Sequence, residues 1–312
     1  MTILITGASG LIGTALTQKL LGTHTVICQS RSAQPPSPGM TWVKHDLADD
    51  SWEDLALPDL DVVYHLAGQT SVYEAQRDPI ADISSNVLGF LRLMEYLRAR
   101  RHPTFVVLAG TATEVGLTDE LPIHENMPDK PITFYDISKF SAELYLRQYV
   151  REGWVRGCTL RLSNVFGRSR SGQRSDRGII DKVFSRAVSG QNISIFGSGE
   201  QLRDYIFIDD VVSAFALAPI YADRTSGRTF VIGTGKGTTL KAAFMQVVAM
   251  AASITGNRVG LEHVPLPAEL SNIERRNAVI DASAYTKATG WSAKYNFDEG
   301  LAAAYRNLVR MP

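Results

Sequence analysis

The sequence is poor in cysteine, carries no net charge and has no long apolar run. Its two cysteines, Cys28 and Cys158, lie 130 residues apart without a CxxC pair, which argues against a disulfide framework and against a metal site. Basic and acidic residues balance at 32 each, so no net field favours a nucleic-acid partner. No apolar run reaches the roughly 18 residues of a membrane span, and the start lacks a basic region and a cleavage site. These absences predict a cytoplasmic protein with buried thiols and no membrane partner.

What the sequence does contain is a regular alternation of short β-branched runs and helical stretches. The predicted strands are residues 3–6, 25–28, 41–44, 62–66, 105–108 and 158–162. The predicted helices between them include residues 11–21, 86–101 and 135–152. Nearly continuous apolar strands joined by helices predict an α/β fold of the Rossmann type, a doubly wound parallel sheet covered on both faces.

The alternation ends after about Gly167. A loop rich in serine, arginine and glycine, GRSRSGQRSDRG, begins there and is followed by mixed short elements. This change predicts a dinucleotide-binding Rossmann domain over residues 1–167 and a smaller C-terminal substrate-binding lobe, mainly over residues 168–312. Some segments of the second part are expected to return to the Rossmann domain.

Three glycines spaced three apart, Gly7, Gly10 and Gly13, follow the first predicted strand. A strand, a glycine turn and a helix together direct unpaired N–H groups and a helix dipole at one place, which suits a pyrophosphate. Gly7 permits the turn, Gly10 lets the pyrophosphate approach and Gly13 lets the helix pack closely. A plain strand-to-helix turn is the alternative, but the position in a βαβ unit favours dinucleotide binding. The predicted cofactor-binding turn also includes Ser9, Leu11 and Ile12.

No acid follows the second predicted strand, where Ser30, Arg31 and Ser32 stand instead. An acid at this place usually binds the free ribose hydroxyl of NAD, whereas the planar donor fork of arginine suits the 2′-phosphate of NADP. The loop therefore predicts NADP, with NAD as the alternative if Arg31 is an ordinary solvated residue. Asp46 and Leu47, after the third strand, are candidates for contact with adenine, although an ordinary acidic loop fits equally well.

A phenol and an ammonium group stand four residues apart at Tyr135 and Lys139, one helical turn from each other. The cation is expected to lower the pKa of the phenol toward neutrality, so that Tyr135 can exchange a proton with a substrate oxygen. Thr111 follows the fifth predicted strand and can position the same oxygen. A surface pair is the alternative for the YxxxK spacing alone, but its combination with Thr111 favours a catalytic set.

With YHLAG at residues 64–68, these motifs resemble the extended short-chain dehydrogenase/reductase family over nearly the whole chain. RLSNVFG at residues 161–167 and GSGEQLRDYIFIDDV at residues 197–211 are similar to its nucleotide-sugar branch of epimerases, dehydratases, decarboxylases and 4-ketosugar reductases. The resemblance implies a nicotinamide cofactor and a nucleotide-diphosphate sugar substrate. It also implies a homodimer built on the helices predicted at residues 86–101 and 135–152.

The resemblance assigns roles to individual residues. It implies that Thr111, Tyr135 and Lys139 are catalytic, and that Asn164 and Arg203 hold the substrate diphosphate. A surface ion pair is the alternative for Arg203. The remaining residues implied near the cofactor are Leu66, Ala67 and Gly68, and those implied near the substrate are Gln69, Arg275 and Arg276.

Departures from the family pattern favour one reaction over others. The resemblance to 4,6-dehydratases would require an Asp-Glu pair directly after the catalytic threonine, where this chain has Ala112 and Thr113, with Glu114 one residue later. Epimerases normally combine retained NAD with the acid that the second strand lacks. The sequence therefore predicts NADP(H)-dependent reduction of a 4-keto (6-deoxy) nucleotide sugar, with an NAD-dependent, redox-neutral epimerase as the alternative. A non-catalytic NADP sensor and a reductase of aromatic or sterol-like ketones are further alternatives, which the catalytic set and the diphosphate ligands respectively disfavour.

Overall fold

The computed structural model describes residues 1–32, 34, 38–167, 178–265 and 272–305. The strands are β1 (Thr2–Thr6), β2 (Thr25–Ser30), β3 (Met40–Lys44), β4 (Val62–His65), β5 (Phe105–Thr111), β6 (Arg156–Leu162), β7 (Asn164–Phe166), β8 (Ile193–Phe196), β9 (Leu202–Phe207), β10 (Thr229–Ile232), β11 (Gly237–Thr239) and β12 (Leu261–Val264). The α-helices are α1 (Leu11–Leu20), α2 (Val72–Arg77), α3 (Pro79–Ile83), α4 (Gly89–Arg100), α5 (Phe134–Arg151), α6 (Ile179–Val188), α7 (Ile208–Leu217), α8 (Ala222–Thr225), α9 (Leu240–Thr255), α10 (Ser283–Thr289) and α11 (Phe297–Tyr305). Short 3₁₀ turns lie at Glu53–Leu55, Ala112–Val115 and Asn272–Arg275, and a π-helical turn lies at Ser84–Leu88.

The central sheet has seven parallel strands in the order β10-β6-β5-β4-β1-β2-β3. Successive strand residues point to opposite faces, and here both faces are apolar. Ile3 and Ile5 of β1 pack into the core on one face, whereas Leu4 packs into the core on the other. Helices cover both sides of the sheet, which explains why its strands are nearly continuous apolar runs. The prediction of a Rossmann-type doubly wound sheet is confirmed.

The strand order reverses beside β1, which pairs with β2 on one side and with β4 on the other. The connections after β1 and β4 therefore leave in opposite directions and open a crevice at the carboxyl ends of these strands. The glycine turn follows β1, and Thr111 is the last residue of β5. The fold thus brings the predicted cofactor turn and the predicted catalytic threonine to the same edge of the sheet.

The chain also forms two short sheets, β11-β9-β7 and β12-β8, the first of which includes β7 from before residue 168. Asp204 of β9 is fully buried and accepts hydrogen bonds from the backbone N–H groups of Thr234, Gly235 and Ile280. It therefore ties β9 to the segment that follows β10, and β10 itself pairs with β6 in the central sheet. The serine- and arginine-rich loop, from residue 168 to residue 177, lies outside the described residues.

The helix predicted at residues 86–101 is present, but its first turn is π-helical rather than α-helical. Ser84–Leu88 form a π-helical turn, and the regular helix α4 begins at Gly89. A Cβ atom at Gly89 would lie 2.8 Å from the Cβ of Leu47, so this turn packs closely against the loop after β3. Asn86, within the π-helical turn, is buried and faces the loop after β4.

Both cysteines are buried and unpaired, as predicted. Burial raises the pKa of each thiol, so that both stay protonated near neutral pH. Among the described residues, no helix is both long and apolar enough to cross a membrane.

Candidate active site

A cavity of about 650 Å³ lies between the carboxyl edge of the central sheet and the two short sheets. It brings together most of the residues predicted for the cofactor, the catalytic set and the substrate. The predicted residues that line it are Gly7, Gly10, Leu11, Ile12, Gly13, Leu66, Ala67, Gly68, Thr111, Tyr135, Lys139, Asn164 and Arg203. The predicted residues that do not line it are Ser9, Ser30, Arg31, Ser32, Asp46, Leu47, Gln69, Arg275 and Arg276.

The glycine turn has the close geometry that a bound pyrophosphate requires. Gly7 has a φ of +65°, and a Cβ there would lie 2.8 Å from the backbone of Ala67. A Cβ at Gly13 would lie 2.3 Å from the carbonyl oxygen of Gly7, so α1 packs directly on the turn. Gly10 precedes α1 without a side-chain cap, which leaves the first N–H groups of the helix available to an anion. These features fit a dinucleotide at this edge.

The end of β2 is arranged around two buried polar side chains. Gln29 accepts a hydrogen bond from the N–H of Gly7 at 2.9 Å and thereby holds the glycine turn. The hydroxyl of Ser30 donates to the carbonyl of Ser32, which closes the following turn. Arg31 and Ser32 are exposed. The guanidinium of Arg31 is therefore free of the core at the place where a ribose 2′-phosphate is expected.

The loop after β3 is held by its own contacts. The Asp46 carboxylate accepts the N–H of Ala48 at 3.0 Å, and Arg92 donates to the carbonyl of Leu47 at 3.1 Å. Leu47 is buried against α4. Asp46 and Leu47, the predicted adenine contacts, therefore stabilise this loop, and neither of them lines the cavity.

The loop after β4 is fixed by Thr6. Its hydroxyl oxygen accepts hydrogen bonds from the N–H groups of Leu66 and Ala67, each at 3.2 Å. The same oxygen lies 3.1 Å from Nδ1 of His65, whose pKa burial lowers to about 3. His65 is therefore a neutral partner, and the loop has a defined shape where it borders the cavity.

The side chain of Gln69 is directed away from the cavity. Its amide donates to the carboxylate of Asp82 at 3.0 Å and to the carbonyl of Ser71 at 2.8 Å. Asn86 donates to the same carboxylate at 2.9 Å and to the carbonyl of Gln69 at 3.1 Å. These hydrogen bonds hold the loop after β4 against the π-helical turn. In this conformation Gln69 therefore stabilises the loop and does not line the cavity.

Thr111, Tyr135 and Lys139 meet at the cavity, but the electrostatics differ from the sequence expectation. Burial raises the pKa of Tyr135, the charges of Asp136 and Glu114 raise it further, and a hydrogen bond with Thr111 offsets part of this. Burial also lowers the pKa of Lys139. The expectation that Lys139 would lower the phenol pKa toward neutrality is therefore not met, because the loss of hydration and the neighbouring carboxylates raise that pKa. Tyr135 is protonated near neutral pH.

A buried ion cluster lies behind Thr111. Arg161 is 1% exposed and contacts three carboxylates, those of Glu114 at 3.0 Å, Glu143 at 2.8 Å and Asp129. Glu114 also accepts the backbone N–H of Thr111 at 3.0 Å. Burial raises the pKa of Glu114 to about 8, although Arg161 opposes the rise. The cluster thus links Thr111, the predicted catalytic threonine, to the interior of the sheet.

Asn164 and Arg203, the predicted diphosphate ligands, both line the cavity. Asn164 begins β7, and Arg203 is 3% exposed in β9. The Arg203 guanidinium donates to the carbonyls of Leu202 at 3.0 Å, Glu274 at 2.6 Å and Arg276. The carboxylate next to this guanidinium is that of Glu274, at 3.6 Å. Arg203 therefore borders the cavity while also holding the segment that contains residues 274–276.

The two other predicted phosphate ligands lie outside the cavity lining. Arg275 is exposed, whereas Arg276 is partly buried and donates to the carbonyl of Ile273 at 2.9 Å. Burial lowers the pKa of Arg276 to about 10, with a further contribution from Arg203 and an opposing one from Asp136. Arg276 therefore lies close to Asp136 and Tyr135 at the start of α5.

Sequence reasoning missed several groups that shape the site. Asp136 and Thr113 hydrogen-bond to each other next to Thr111, and Glu274 lines the cavity beside Arg203. Asp136 stands inside the YxxxK spacing, so its position one residue after the tyrosine was the available signal. Glu274 had no local signal, because only the packing of its segment against β9 brings it to the site.

A glycine-lined crevice in a doubly wound sheet, beside a half-buried tyrosine and a buried lysine, defines a Rossmann-type enzyme that binds a nicotinamide dinucleotide. Residues 3–233 match the NAD dependent epimerase/dehydratase family, and the chain belongs to this family. The predicted resemblance to extended short-chain dehydrogenases/reductases of the nucleotide-sugar branch is thereby confirmed. Since the protein is an enzyme, the alternative of a non-catalytic sensor is set aside.

Relatives over nearly the full length carry out different reactions. The chain is 30% identical to a UDP-glucose 4-epimerase of Mycolicibacterium smegmatis over 97% of its length and 96% of the relative. It is 27% identical to a GDP-6-deoxy-D-mannose reductase of Pseudomonas aeruginosa over 96% of its length and 95% of the relative. Its fold is similar to that of a Thermotoga maritima UDP-glucose 4-epimerase with UDP-glucose, with a TM-score of 0.87, 28% identity and 99% of each chain covered.

Proposed function

We propose that this enzyme uses NADPH to reduce a 4-keto (6-deoxy) sugar carried on a nucleoside diphosphate. The observation that carries the proposal is the end of β2, where Arg31 is exposed and no acid is present to bind a free ribose hydroxyl. A net reduction consumes a diffusible reduced cofactor. The reductase from Pseudomonas aeruginosa supports the same reaction class.

The residues on the cavity wall divide the chemical tasks. The glycine turn would hold the pyrophosphate, and Arg31 with Ser32 would hold the 2′-phosphate. The bound cofactor supplies a hydride to the ketone carbon. Tyr135 is protonated near neutral pH because burial raises its pKa, so its hydroxyl can donate the proton that the ketone oxygen acquires. The Lys139 ammonium then stabilises the phenolate that remains, and Thr111 positions the reacting oxygen.

The substrate diphosphate is proposed to lie against Asn164 and Arg203. Both residues line the same cavity as Tyr135, so one ligand can contact the catalytic set and this wall together. The guanidinium of Arg203 has a carboxylate neighbour, Glu274, at 3.6 Å. An anionic diphosphate would compete with that carboxylate for the same cation.

A second candidate function is a redox-neutral 4-epimerase that retains NAD. The two UDP-glucose 4-epimerase relatives favour it, one by sequence and one by fold. Such an enzyme first removes a proton from a sugar hydroxyl, and the raised pKa of Tyr135 makes that step harder than donation in the unliganded state.

A direct assay separates the two functions. Purified enzyme is mixed with NADPH or NADH and a nucleotide-linked 4-keto-6-deoxy sugar, and cofactor absorbance is followed together with the sugar product. We expect one NADPH consumed for each ketone reduced. Interconversion of UDP-sugars by the protein as purified, without added cofactor and with NAD released on denaturation, would establish the epimerase instead. Reduction of simple ketones without any nucleotide requirement would point to a small-ketone reductase.

We also propose that the enzyme is a homodimer built on α5. This helix exposes four large apolar side chains on its surface, each at least 42% accessible: Phe134, Ile137, Leu144 and Tyr145. Leu88 is similarly exposed on the π-helical turn, whereas Tyr96 is buried against Trp52 and belongs to the core. Sedimentation equilibrium at micromolar concentration tests the proposal, and a mass of one chain throughout would contradict it.

A further inference from the structure

A continuous chain of polar groups leads from the cavity into the interior. The hydroxyl of Thr111, at the cavity wall, lies 2.9 Å from the hydroxyl of Thr113. The Thr113 hydroxyl donates to Oδ1 of Asp136. Thr111 and Thr113 are each 8% exposed, and Asp136 is fully buried. The chain therefore joins a proposed substrate contact to a carboxyl group that water does not reach.

Each hydroxyl in this chain has one hydrogen, which fixes the direction of the bonds. When Asp136 is ionised, it can only accept, so the hydrogen of Thr113 points to the carboxylate. The contact between the two threonines then needs the hydrogen of Thr111. In this state Thr111 has no hydrogen left for a ligand, and its oxygen can only accept.

Protonation of Asp136 reverses the order. The acid hydrogen is then available to Thr113, and Thr113 can turn its own hydrogen toward Thr111. The oxygen of Thr111 accepts this bond and also that from the backbone N–H of Thr113, at 3.3 Å. Both of its acceptor positions are then occupied, so its hydrogen can be donated to Tyr135, its partner in the unliganded site, or to a ligand that takes the place of that contact.

We propose that Asp136 is a positioning residue that acts through Thr113 to decide whether Thr111 donates to a ketone oxygen or accepts from a sugar hydroxyl. The proposal rests on the proposed function only in placing the reacting oxygen against Thr111. A ketone offers acceptors alone and requires the donor state. A hydroxyl substrate can donate and therefore suits the acceptor state.

The groups around Asp136 act in opposite directions on its pKa, so that both its ionised and its protonated form are accessible. Burial raises its pKa, whereas hydrogen bonds from Thr113 and Thr133 and the nearby charge of Arg276 lower it. Thr113 contacts only Oδ1, so the order reverses when the acid hydrogen lies on Oδ1; Oδ2 has no hydrogen-bond partner among the described residues. Tyr135 is the adjacent titratable group on the same helix.

Other titratable groups of the site lie close enough to contribute to a pH profile. Glu114 and Asp82 act on Tyr135 and on Lys139 through their charges. A change of activity with pH can therefore be assigned to Asp136 only if the pKa of its carboxyl is measured independently. Variants that interrupt the chain at its middle member provide the assignment, because they leave the carboxyl in place.

The first experiment needs no substrate. The Asp136 carboxyl is followed from pH 4 to 9 by carbon NMR or infrared difference spectra, with Asp136→Asn identifying its signal. We expect Thr113→Val to raise the pKa of Asp136, because the carboxylate loses a donor, and Thr113→Ser to leave it near the wild-type value. An unchanged titration in Thr113→Val would refute the link between Thr113 and Asp136.

The second experiment measures kcat/KM over the same pH range. For ketone reduction, the wild type should lose about two- to tenfold as Asp136 ionises, which is the contribution of one hydrogen bond. Thr113→Ser should keep this step, and Thr113→Val and Asp136→Asn should lose it. The exposed Asp119→Asn is the matched control and should behave as the wild type. A step of wild-type size and position in Thr113→Val would overturn the proposal.

The sign of the step separates this inference from the proposed reaction. If the enzyme acts on a hydroxyl substrate instead, the rate should rise as Asp136 ionises, and Thr113→Val should again remove the step. In that outcome the reductase proposal fails, whereas the role of Asp136 stands. A step of the same sign for ketone and hydroxyl substrates would refute the reversal of the hydroxyl chain.

Discussion

Replacing Glu114 by glutamine tests the charge balance of the cluster around Arg161. Glutamine has nearly the shape of a protonated glutamate, and its carbonyl can still accept the N–H of Thr111. Burial and the neighbouring Glu143 raise the pKa of Glu114 from 4.5 to about 8. The native state therefore holds a proton between these values that the unfolded chain has released.

The sign and size of the effect follow from proton linkage. Because the folded pKa is the higher one, the free energy of unfolding falls as pH rises from 4.5 to 8. Each pH unit in this interval costs up to about 1.4 kcal/mol, so the loss over the interval is on the order of several kcal/mol. The glutamine variant does not titrate there. We expect similar stability of the two proteins near pH 5 and a more stable variant at pH 8.

Urea unfolding at pH 5, 6.5 and 8 measures this difference. The exposed Glu200→Gln makes the same chemical change on the surface, and it should follow the wild type at every pH. The reasoning is refuted if Glu114→Gln and the wild type lose stability in parallel, because Glu114 would then be ionised beside Arg161 throughout.

Three further substitutions test the cofactor, the chemistry and the substrate wall. Arg31→Ala should raise the Kd for NADPH about tenfold or more and leave that for NADH nearly unchanged in fluorescence titrations; equal weakening would contradict the 2′-phosphate assignment. Tyr135→Phe should retain fold and cofactor affinity and lower kcat by about 10² or more, and near-normal turnover would remove its role. Arg203→Lys should weaken calorimetric binding of UDP, GDP or CDP by the cofactor-loaded enzyme, and Arg203→Ala several-fold more. The alanine variant should also lose about 1–3 kcal/mol of stability, since Arg203 holds three carbonyl groups; unchanged nucleotide binding would exclude the diphosphate role.

The central sheet was predictable because its strands are apolar on both faces and end in recognisable turns. All six predicted strands are present, with ends displaced by up to three residues, as at β5, which continues to Thr111. The π-helical turn at Ser84–Leu88 was not predictable, because its hydrogen-bond pattern has no counterpart in local propensity. It depends on packing against the loops after β3 and β4.

The candidate site was predictable where a motif brings its own geometry. The glycine turn and the spacing of Tyr135 and Lys139 are local, and the structure places them on one cavity as expected. The contacts of Arg203 with the carbonyls around residue 275 join segments about 70 residues apart, so no local pattern encodes them. The raised pKa of Tyr135 likewise depends on burial that only the assembled fold provides.

The position of β10 has a consequence for the order in which the chain can fold during synthesis. Until Thr229–Ile232 leave the ribosome, the outer edge of β6 has no partner in the sheet. An apolar strand with free N–H and C=O groups is a template for pairing with another chain. Nascent chains that end between residues 167 and 228 therefore have an unpaired edge strand, β6, to which other chains can bind. Chaperone binding and aggregation should be greatest over this span and should decline once β10 has been added.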